Sequence, residues 1–221
     1  LGGFDEEDLK STEIGYKYKS SDNKLLVNTA YYEYDYTNQQ QQIIVVNSSG
    51  ALAGQTFNAG SSDMTGFELE TKYAVTDNIL IDFSYYSAET EFKSFELTDT
   101  RPPLSFTGNK MNYSPESSYN VGLTIYSEDD SSVFTMSYSQ KDSYFMDPSN
   151  RFVSEQPAYG LLNMSYIKDF NDNLQMKIFC TNCTDEIYLT QVTTFAVQFG
   201  GGGRNYYANG NRVGLEVTYS F

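Results

Sequence analysis

Cys180 and Cys183 are the residues of this sequence whose type and spacing most directly suggest chemistry. In an extended chain, three residues span about 10 Å and place the two side chains on opposite faces, so a disulfide requires the strand to break between them. Two thiols without a third or fourth ligand make a poor zinc site. We interpret both cysteines as incidental, with a local disulfide across an irregular turn as the alternative.

Acidic side chains provide a second candidate. Glu68, Glu70 and Lys72 alternate along one predicted strand, and Asp82 lies on the next. Paired carboxylates can perform acid–base chemistry, but such charges also pair with one another on a wet surface, and we favour that structural interpretation. The chain has no histidine, which excludes Ser-His and Cys-His nucleophiles, histidine-ligated zinc and a histidine pH switch. We therefore expect no catalysis, no cofactor and no metal site.

A glycine run at residues 200–203 precedes Arg204 and superficially resembles a phosphate-binding loop. A Walker loop needs Gly-Lys-Ser or Gly-Lys-Thr opening a helix, whereas aromatic residues and a strand follow here, so we predict a flexible loop. Arg204 with Tyr206 and Tyr207 is the best candidate for ligand contact, because a cation beside rings suits an anionic, partly aromatic ligand. The other loop cations within reach of an incoming ligand are Arg101, Lys110 and Arg151.

The net charge and the amino-acid composition exclude several classes of protein. The chain has 221 residues, with 14 Lys plus Arg against 29 Asp plus Glu and a formal charge of −15. Such a chain repels polyanions, so nucleic acid is not an expected partner. Aromatic residues make up 16% although hydrophobic residues reach only 39%, and no run of about 20 apolar residues encodes a transmembrane helix. The chain is therefore rich in aromatic residues but has less apolar content than a large buried core requires.

A period of two dominates the sequence. Apolar Ile79, Ile81 and Phe83, for example, alternate with polar Asp82 and Ser84. This alternation predicts strands with one apolar and one polar face. Many of the strands are about ten residues or longer, beyond the usual length in a soluble sheet. The nine predicted strands are 12–19, 25–36, 65–75, 79–92, 118–127, 133–144, 159–168, 174–182 and 211–221.

The connections between these strands alternate between short and long. Tight polar turns fall at 21–23, 77–78, 128–131 and 171–173, and long segments at 37–64, 93–117, 145–158 and 183–210. Short connections on one edge and long ones on the other are typical of an antiparallel up-and-down β-barrel.

Several features favour a transmembrane barrel. A tilted strand of about 9 to 11 residues crosses a bilayer, with an apolar lipid face and an opposite face that stays polar. Aromatic side chains settle at the two headgroup levels, which accounts for rings near strand ends such as Tyr31, Tyr36, Tyr219 and Phe221. A soluble antiparallel sandwich also has period two and is the alternative on pattern alone. It would bury the apolar rows against a second protein layer.

The order and spacing of several segments resemble the carboxy-terminal half of TonB-dependent outer-membrane receptors. The segments are 11–17 with 26–36, 66–70 leading through 76–78, 114–123, 182–186, and the ending 213–221. Cys183 is a departure, since family members usually have Leu there. The family barrel has 22 strands around an amino-terminal plug, so the resemblance implies that residues 1–221 are roughly its last nine strands, without the plug and the earlier strands. An eight- or ten-stranded small barrel is the alternative if 41–46 or 192–199 pairs as a further strand.

The resemblance implies a function as well. A receptor of this family binds a scarce solute outside the bacterial outer membrane, typically a ferric siderophore, haem or cobalamin, and admits it when the TonB complex pulls on the plug. Arg204, Tyr206 and Tyr207 would then face the iron chelate, while Tyr219 and Phe221 would serve as the signal read by the outer-membrane assembly machinery. A passive porin or small barrel, a soluble binding domain and a barrel enzyme are the other classes considered; the known barrel enzymes rely on a histidine.

Overall fold

The computed structural model describes residues 4–194 and 203–221, and almost all of its regular structure is β. One short 3-10 turn, Phe152–Ser154, interrupts the strands. Among the described residues, no helix has the length and apolar character that crossing a membrane requires. The strands in chain order are β1 Asp8–Lys19, β2 Leu25–Thr37, β3 Gln40–Val46, β4 Leu52–Asn58, β5 Ser61–Ala74, β6 Ile79–Ser94, β7 Glu96–Leu97, β8 Leu104–Ser105, β9 Ser117–Tyr126, β10 Ser132–Lys141, β11 Tyr144–Phe145, β12 Glu155–Gln156, β13 Tyr159–Asn171, β14 Leu174–Thr181, β15 Leu189–Thr194, β16 Gly203–Tyr207 and β17 Arg212–Tyr219.

Nine of these strands form one antiparallel sheet, which we call the wall, in the order β1-β2-β5-β6-β9-β10-β13-β14-β17. These are the nine strands that the sequence predicts, and each pairs with its predicted neighbour in an up-and-down meander. The all-β, partial-barrel fold class is thereby confirmed. β1 and β17 lie at the two edges of the wall, so the described residues form an open sheet rather than a closed cylinder.

Cross-strand register gives the wall two chemically different faces. One row of partners that faces outward is apolar except at Thr71: Tyr18, Val27, Thr71, Phe83, Val121, Tyr138 and Leu162. The next row along, which faces inward, is largely polar: Lys17, Asn28, Glu70, Ser84, Asn120, Ser139 and Leu161. Since side chains alternate along a strand, period two in the sequence becomes two opposite surfaces in the sheet.

The outer face of the wall is uncovered. Large apolar side chains stand exposed along it, including Ile14, Tyr31, Phe67, Ile81, Val121, Tyr166, Ile178, Val213, Leu215, Val217 and Tyr219. An apolar surface of this extent is what a lipid-facing barrel wall presents. The second protein layer of a soluble sandwich is therefore missing from the described part of the chain, and the membrane interpretation of the rows holds.

Two short turns at the other end of the wall from the long loops are built by the same device. The Ser20 hydroxyl and the Lys24 amide both donate to Oδ1 of Asp22, at 2.5 and 3.1 Å. The Ser127 hydroxyl and the Ser131 amide donate to Oδ1 of Asp129 at the same distances. These hydrogen bonds lower the pKa of both carboxyls, because they stabilise the ionised form.

Glycines let bulky side chains lie flat on the wall. A Cβ at Gly66 would lie 2.3 Å from the ring of Tyr32 on the neighbouring strand, and one at Gly214 would lie 2.3 Å from the ring of Phe179. Each ring therefore occupies the space of a missing side chain. Any larger residue at either glycine must displace the ring.

The long connections carry structure that the sequence does not reveal. β3 and β4 pair only with each other, as do β7 with β8, β11 with β12 and β15 with β16. Residues 40–46 therefore belong to a hairpin within a loop and not to a tenth wall strand. The wall strand predicted at 133–144 ends at Lys141, because Tyr144 and Phe145 pair with Gln156 and Glu155 instead. Of the possible strand at 192–199, Val192, Thr193 and Thr194 lie in β15, and 195–199 lies outside the described residues.

The main apolar cluster of the described residues lies in these loops. Phe92 at the end of β6 packs with Phe95, 5.2 Å between ring centroids, and Phe95 packs edge-on against Phe106 at 5.1 Å. Ile43 and Val45 from the β3–β4 hairpin close the same cluster. The first two long loops are thus held together by a buried core.

Cys180 and Cys183 form a disulfide, so the interpretation of them as incidental residues is wrong. β14 ends at Thr181, and Asn182 takes a φ of 48°, which turns the chain and brings the two Cα atoms to 5.5 Å. Asn182 holds this corner through its side chain, which accepts from the Glu186 amide and donates to the Glu186 carbonyl, both at 2.9 Å. The strand thus breaks between the two cysteines, and the alternative of a local disulfide across an irregular turn is confirmed.

Candidate functional site

The four long loops meet at one end of the wall and enclose a cleft. We call these loops together the loop cap: residues 38–60, 95–116, 142–158 and the described parts of 182–211. The cleft has a volume of about 660 Å³, within the range of a small-molecule site. Its lining comes from every loop: Gln41, Gln42, Ile43, Ile44, Leu52, Ala53, Gly54, Asn112, Tyr113, Met146, Asp147, Pro148, Gln191, Val192, Thr193 and Thr194.

Hydrogen bonds between loops fix the shape of this cleft. Asn150 accepts from the Lys110 amide at 2.7 Å and donates to the Lys110 carbonyl at 3.0 Å, which ties the third loop to the second. Asn109 donates to the carbonyl of Pro148 at 2.8 Å. Gln156 accepts from the Leu189 amide at 2.6 Å, which ties the third loop to the fourth. Side-chain amides therefore hold the loops in position relative to one another, since an amide has both donor and acceptor atoms.

Asp147 is the one carboxylate in the described lining. The Ser149 amide donates to its Oδ1 at 2.8 Å, and the Ser149 hydroxyl also donates to that oxygen. Its Oδ2 is buried, accepts no hydrogen bond among the described residues, and lies 3.9 Å from Nη2 of Arg151. One oxygen of this carboxylate is therefore held by the loop, and the other has no donor in the described part of the cap.

Tyrosine rings continue from the cleft toward the inner face of the wall. Tyr113, in the lining, lies 6.3 Å from Tyr144, and Tyr159 stacks on Tyr188 with centroids 4.4 Å apart. Lys141 stands 5.9 Å above the Tyr144 ring. Burial, and then the negative charge of Asp147, raise the pKa of Tyr113; burial, and then Tyr159, raise the pKa of Tyr144. Both phenols therefore stay protonated at neutral pH and can donate hydrogen bonds.

The ligand-contact residues predicted from sequence lie at the rim of this cleft. Arg204, Tyr206 and Tyr207 are on β16, which pairs with the cleft-lining strand β15. All three are exposed. Of the glycine run at 200–203, only Gly203 is among the described residues. The hairpin thus places the three candidates beside the cleft without including them in its lining.

The other predicted candidates are dispersed. Arg101 is exposed and Lys110 forms an ion pair with Glu116, whereas Arg151 reaches the carboxylate of Asp147. The acidic row lies on the inner face of the wall, where Lys72 is the register partner of Asp82. Across the described residues, no group of three or more His, Cys, Asp or Glu is placed to hold a metal ion.

Sequence reasoning missed the residues that line the cleft. Asp147 and Tyr113 have no local motif, because their partners come from other loops. The run of glutamines at 39–42 was a signal that could have been used, since consecutive amides next to an apolar strand suit a polar binding surface. Tyr219 and Phe221 lie at the opposite end, with ring centroids 5.1 Å apart at the end of β17.

An antiparallel wall with an apolar outer face, a polar inner face and structured loops at one end defines the class of outer-membrane β-barrels. The sequence gives the family: residues 1–183 match the profile of the TonB dependent receptor-like β-barrel, and the chain belongs to this family of transport receptors. Members of this family are outer-membrane proteins. No curated protein sequence matches the chain.

Solved structures support the same fold. The siderophore receptor PiuA from Acinetobacter baumannii superposes with a TM-score of 0.75 at 20% identity, covering 96% of this chain and 28% of that one. The ferric yersiniabactin uptake receptor FyuA from Yersinia pestis gives 0.76 at 18% identity, over 97% and 30%. The ferric-catecholate import receptor Fiu from E. coli K12 gives 0.70 at 16% identity, over 99% and 28%. The chain thus spans less than a third of the length of these receptors.

Proposed function

We propose that the protein containing this chain is an outer-membrane receptor for TonB-dependent uptake of a scarce solute, a ferric siderophore or similar iron complex. In this proposal residues 1–221 are the carboxy-terminal part of its barrel, completed by earlier strands and by a plug that meets the TonB complex. The observation that carries the proposal is the cleft enclosed by four loops on a two-faced wall. Such a cleft presents a binding site outside while the wall separates lipid from an aqueous lumen.

Three further observations support this proposal. Family membership and the fold of siderophore receptors favour energy-coupled uptake over a passive pore. The rim residues Arg204, Tyr206 and Tyr207 are exposed where an arriving solute would meet them. Tyr219 and Phe221 pack edge to face at the end of β17, and we propose them as the signal read by the outer-membrane assembly machinery.

Uptake in iron-limited cells tests the proposal. A strain lacking the complete gene should lose uptake of at least one ferric siderophore, and a protonophore or loss of TonB should abolish uptake in the wild type. Uptake that persists without TonB, with steady ion conductance of the purified protein, would identify a passive porin instead.

A matched pair of variants tests whether Arg204 at the rim contacts the siderophore. Arg204→Ala should weaken siderophore binding by about tenfold, since a hydrogen bond to a charged group is worth roughly 1.5 kcal/mol. Arg101→Ala removes an exposed cation from another loop and should leave binding unchanged. Equal effects of the two substitutions would remove Arg204 from the site.

A further inference from the structure

The cleft in the loop cap has an unusual charge for a site open to metal chelates. No lysine or arginine side chain is part of its lining in the described residues, and Asp147 supplies a negative charge. Neighbouring cations have acidic partners: Arg151 lies beside Asp147, and Lys110 beside Glu116. Because Arg151 offsets the charge of Asp147, the described part of the cleft carries no net positive charge that would attract an anion.

One carboxylate oxygen of Asp147 can accept a hydrogen bond from a ligand. Its Oδ2 lies in the lining, buried, with no donor among the described residues. A buried carboxylate oxygen without a donor is costly, and a ligand N–H or O–H would remove that cost.

The remaining polar lining is uncharged. Gln41, Gln42, Asn112 and Gln191 supply side-chain amides, interspersed with apolar Ile44 and Leu52. Amides both donate and accept, so they match carbonyl, hydroxyl and N–H groups on an uncharged ligand. Amides do not offset the desolvation of a multiply charged anion as a guanidinium or ammonium would.

We propose that this cleft selects an iron chelate of zero net charge that carries amide or hydroxyl donors, as in the trihydroxamate class, and rejects the anionic tricatecholate class. Asp147 is the residue that sets this preference, by accepting a hydrogen bond from the ligand and by offsetting the positive charge of Arg151, which would otherwise favour an anion. The inference rests on the proposed function, and it departs from the anionic chelate that Arg204 at the rim suggests.

Calorimetric titration of the complete receptor in detergent tests this charge preference. The probes are an uncharged ferric trihydroxamate and a trianionic ferric tricatecholate, each at low and high salt. The uncharged chelate should bind at least about tenfold more tightly at low salt, with little salt dependence. Tighter binding of the tricatecholate would overturn the inference and leave the receptor function standing. Binding of neither, together with normal siderophore uptake in the deletion strain, would overturn both.

Two variants locate the preference in the cleft. Asp147→Asn keeps the oxygen that Ser149 holds and removes the charge, so the preference for the uncharged chelate should shrink by about tenfold. Gln191→Lys adds a cation at an exposed lining position and should shift the preference the same way without touching the Asp147 contacts. Gln55→Lys, on the β3–β4 hairpin but outside the lining, is the matched control. An unchanged preference in both cleft variants would contradict the inference.

Discussion

The wall and the loop cap use apolar side chains in opposite ways. In the wall, Val121, Ile178 and Val213 stand exposed on one face, and the strands are joined by their hydrogen-bond ladders. In the loop cap, Phe95 is fully buried, together with Phe92 from the adjoining end of β6, in a cluster of the kind found in water-soluble domains. The difference shows that one chain is built for two solvents: hydrocarbon covers the wall, whereas the cap must make its own core.

The sharpest test of this contrast is Phe95→Ala, at the centre of the cap cluster. Truncating a fully buried phenylalanine should cost about 3–5 kcal/mol, and the cost should fall on the first two loops alone. Hydrogen exchange in lipid should show loss of protection at 95–111 while the wall strands remain protected. Phe152→Ala, at a side chain that is 86% exposed, is the control and should change little. Loss of protection throughout the wall would contradict the separation of the two regions.

The wall is tested by placing a charge on either face of one strand. Val121 and Asn120 are neighbours in the middle of β9, on the outer and inner faces. Val121→Lys should destabilise the complete barrel by about 2–4 kcal/mol, because the ammonium enters hydrocarbon, whereas Asn120→Lys should be nearly neutral in the wet lumen near Asp82. Urea titrations of the barrel in lipid vesicles measure both. Equal costs would show that the outer face does not meet lipid.

A third test targets the close approach of Tyr32 to Gly66. Gly66→Val forces the ring away and should cost about 1–3 kcal/mol, measured in the same urea titrations. In a Tyr32→Ala background the valine should cost much less, which gives a double-mutant cycle for the contact. Gly54→Val, where a Cβ meets no atom within 4 Å, is the control from the cap. Additive effects of the two wall substitutions would argue against the packing described.

The smallest effect concerns the short turns. The folded-state pKa of Asp129 is lowered, so its contribution is present above the unfolded value near pH 4 and is lost as pH falls toward the folded pKa. The protection factor of the Ser131 amide, which corrects for the intrinsic pH dependence of exchange, should therefore fall on acidification in the wild type, and much less in Asp129→Asn. Asp130→Asn, one residue along, should keep the wild-type response. An undiminished fall in protection of the Ser131 amide in Asp129→Asn would show that this carboxylate is not the cause.

The sequence predicted the wall far better than the cap, for a physical reason. Hydrocarbon on one side and water on the other impose period two on every wall strand, so local pattern suffices to place Ile79–Ser94 or Leu25–Thr37 within a few residues. The cap core joins Val45 to Phe106, and the cleft joins Gln41 to Asp147. Contacts between loops so distant in sequence leave no periodic trace, and the corner at Asn182 needed a backbone angle that spacing cannot give.

The self-contained pairing of the β3–β4 and β15–β16 hairpins has an evolutionary consequence. Because neither hairpin shares a ladder with the wall, adding or removing a pair of rungs alters its height and leaves every wall register intact. Hairpins of different length and sequence can therefore replace these two without changing the strand pairing of the wall. The Asn47–Gly50 bend at the tip of the first hairpin is, for the same reason, a natural place to display a foreign peptide at the cell surface.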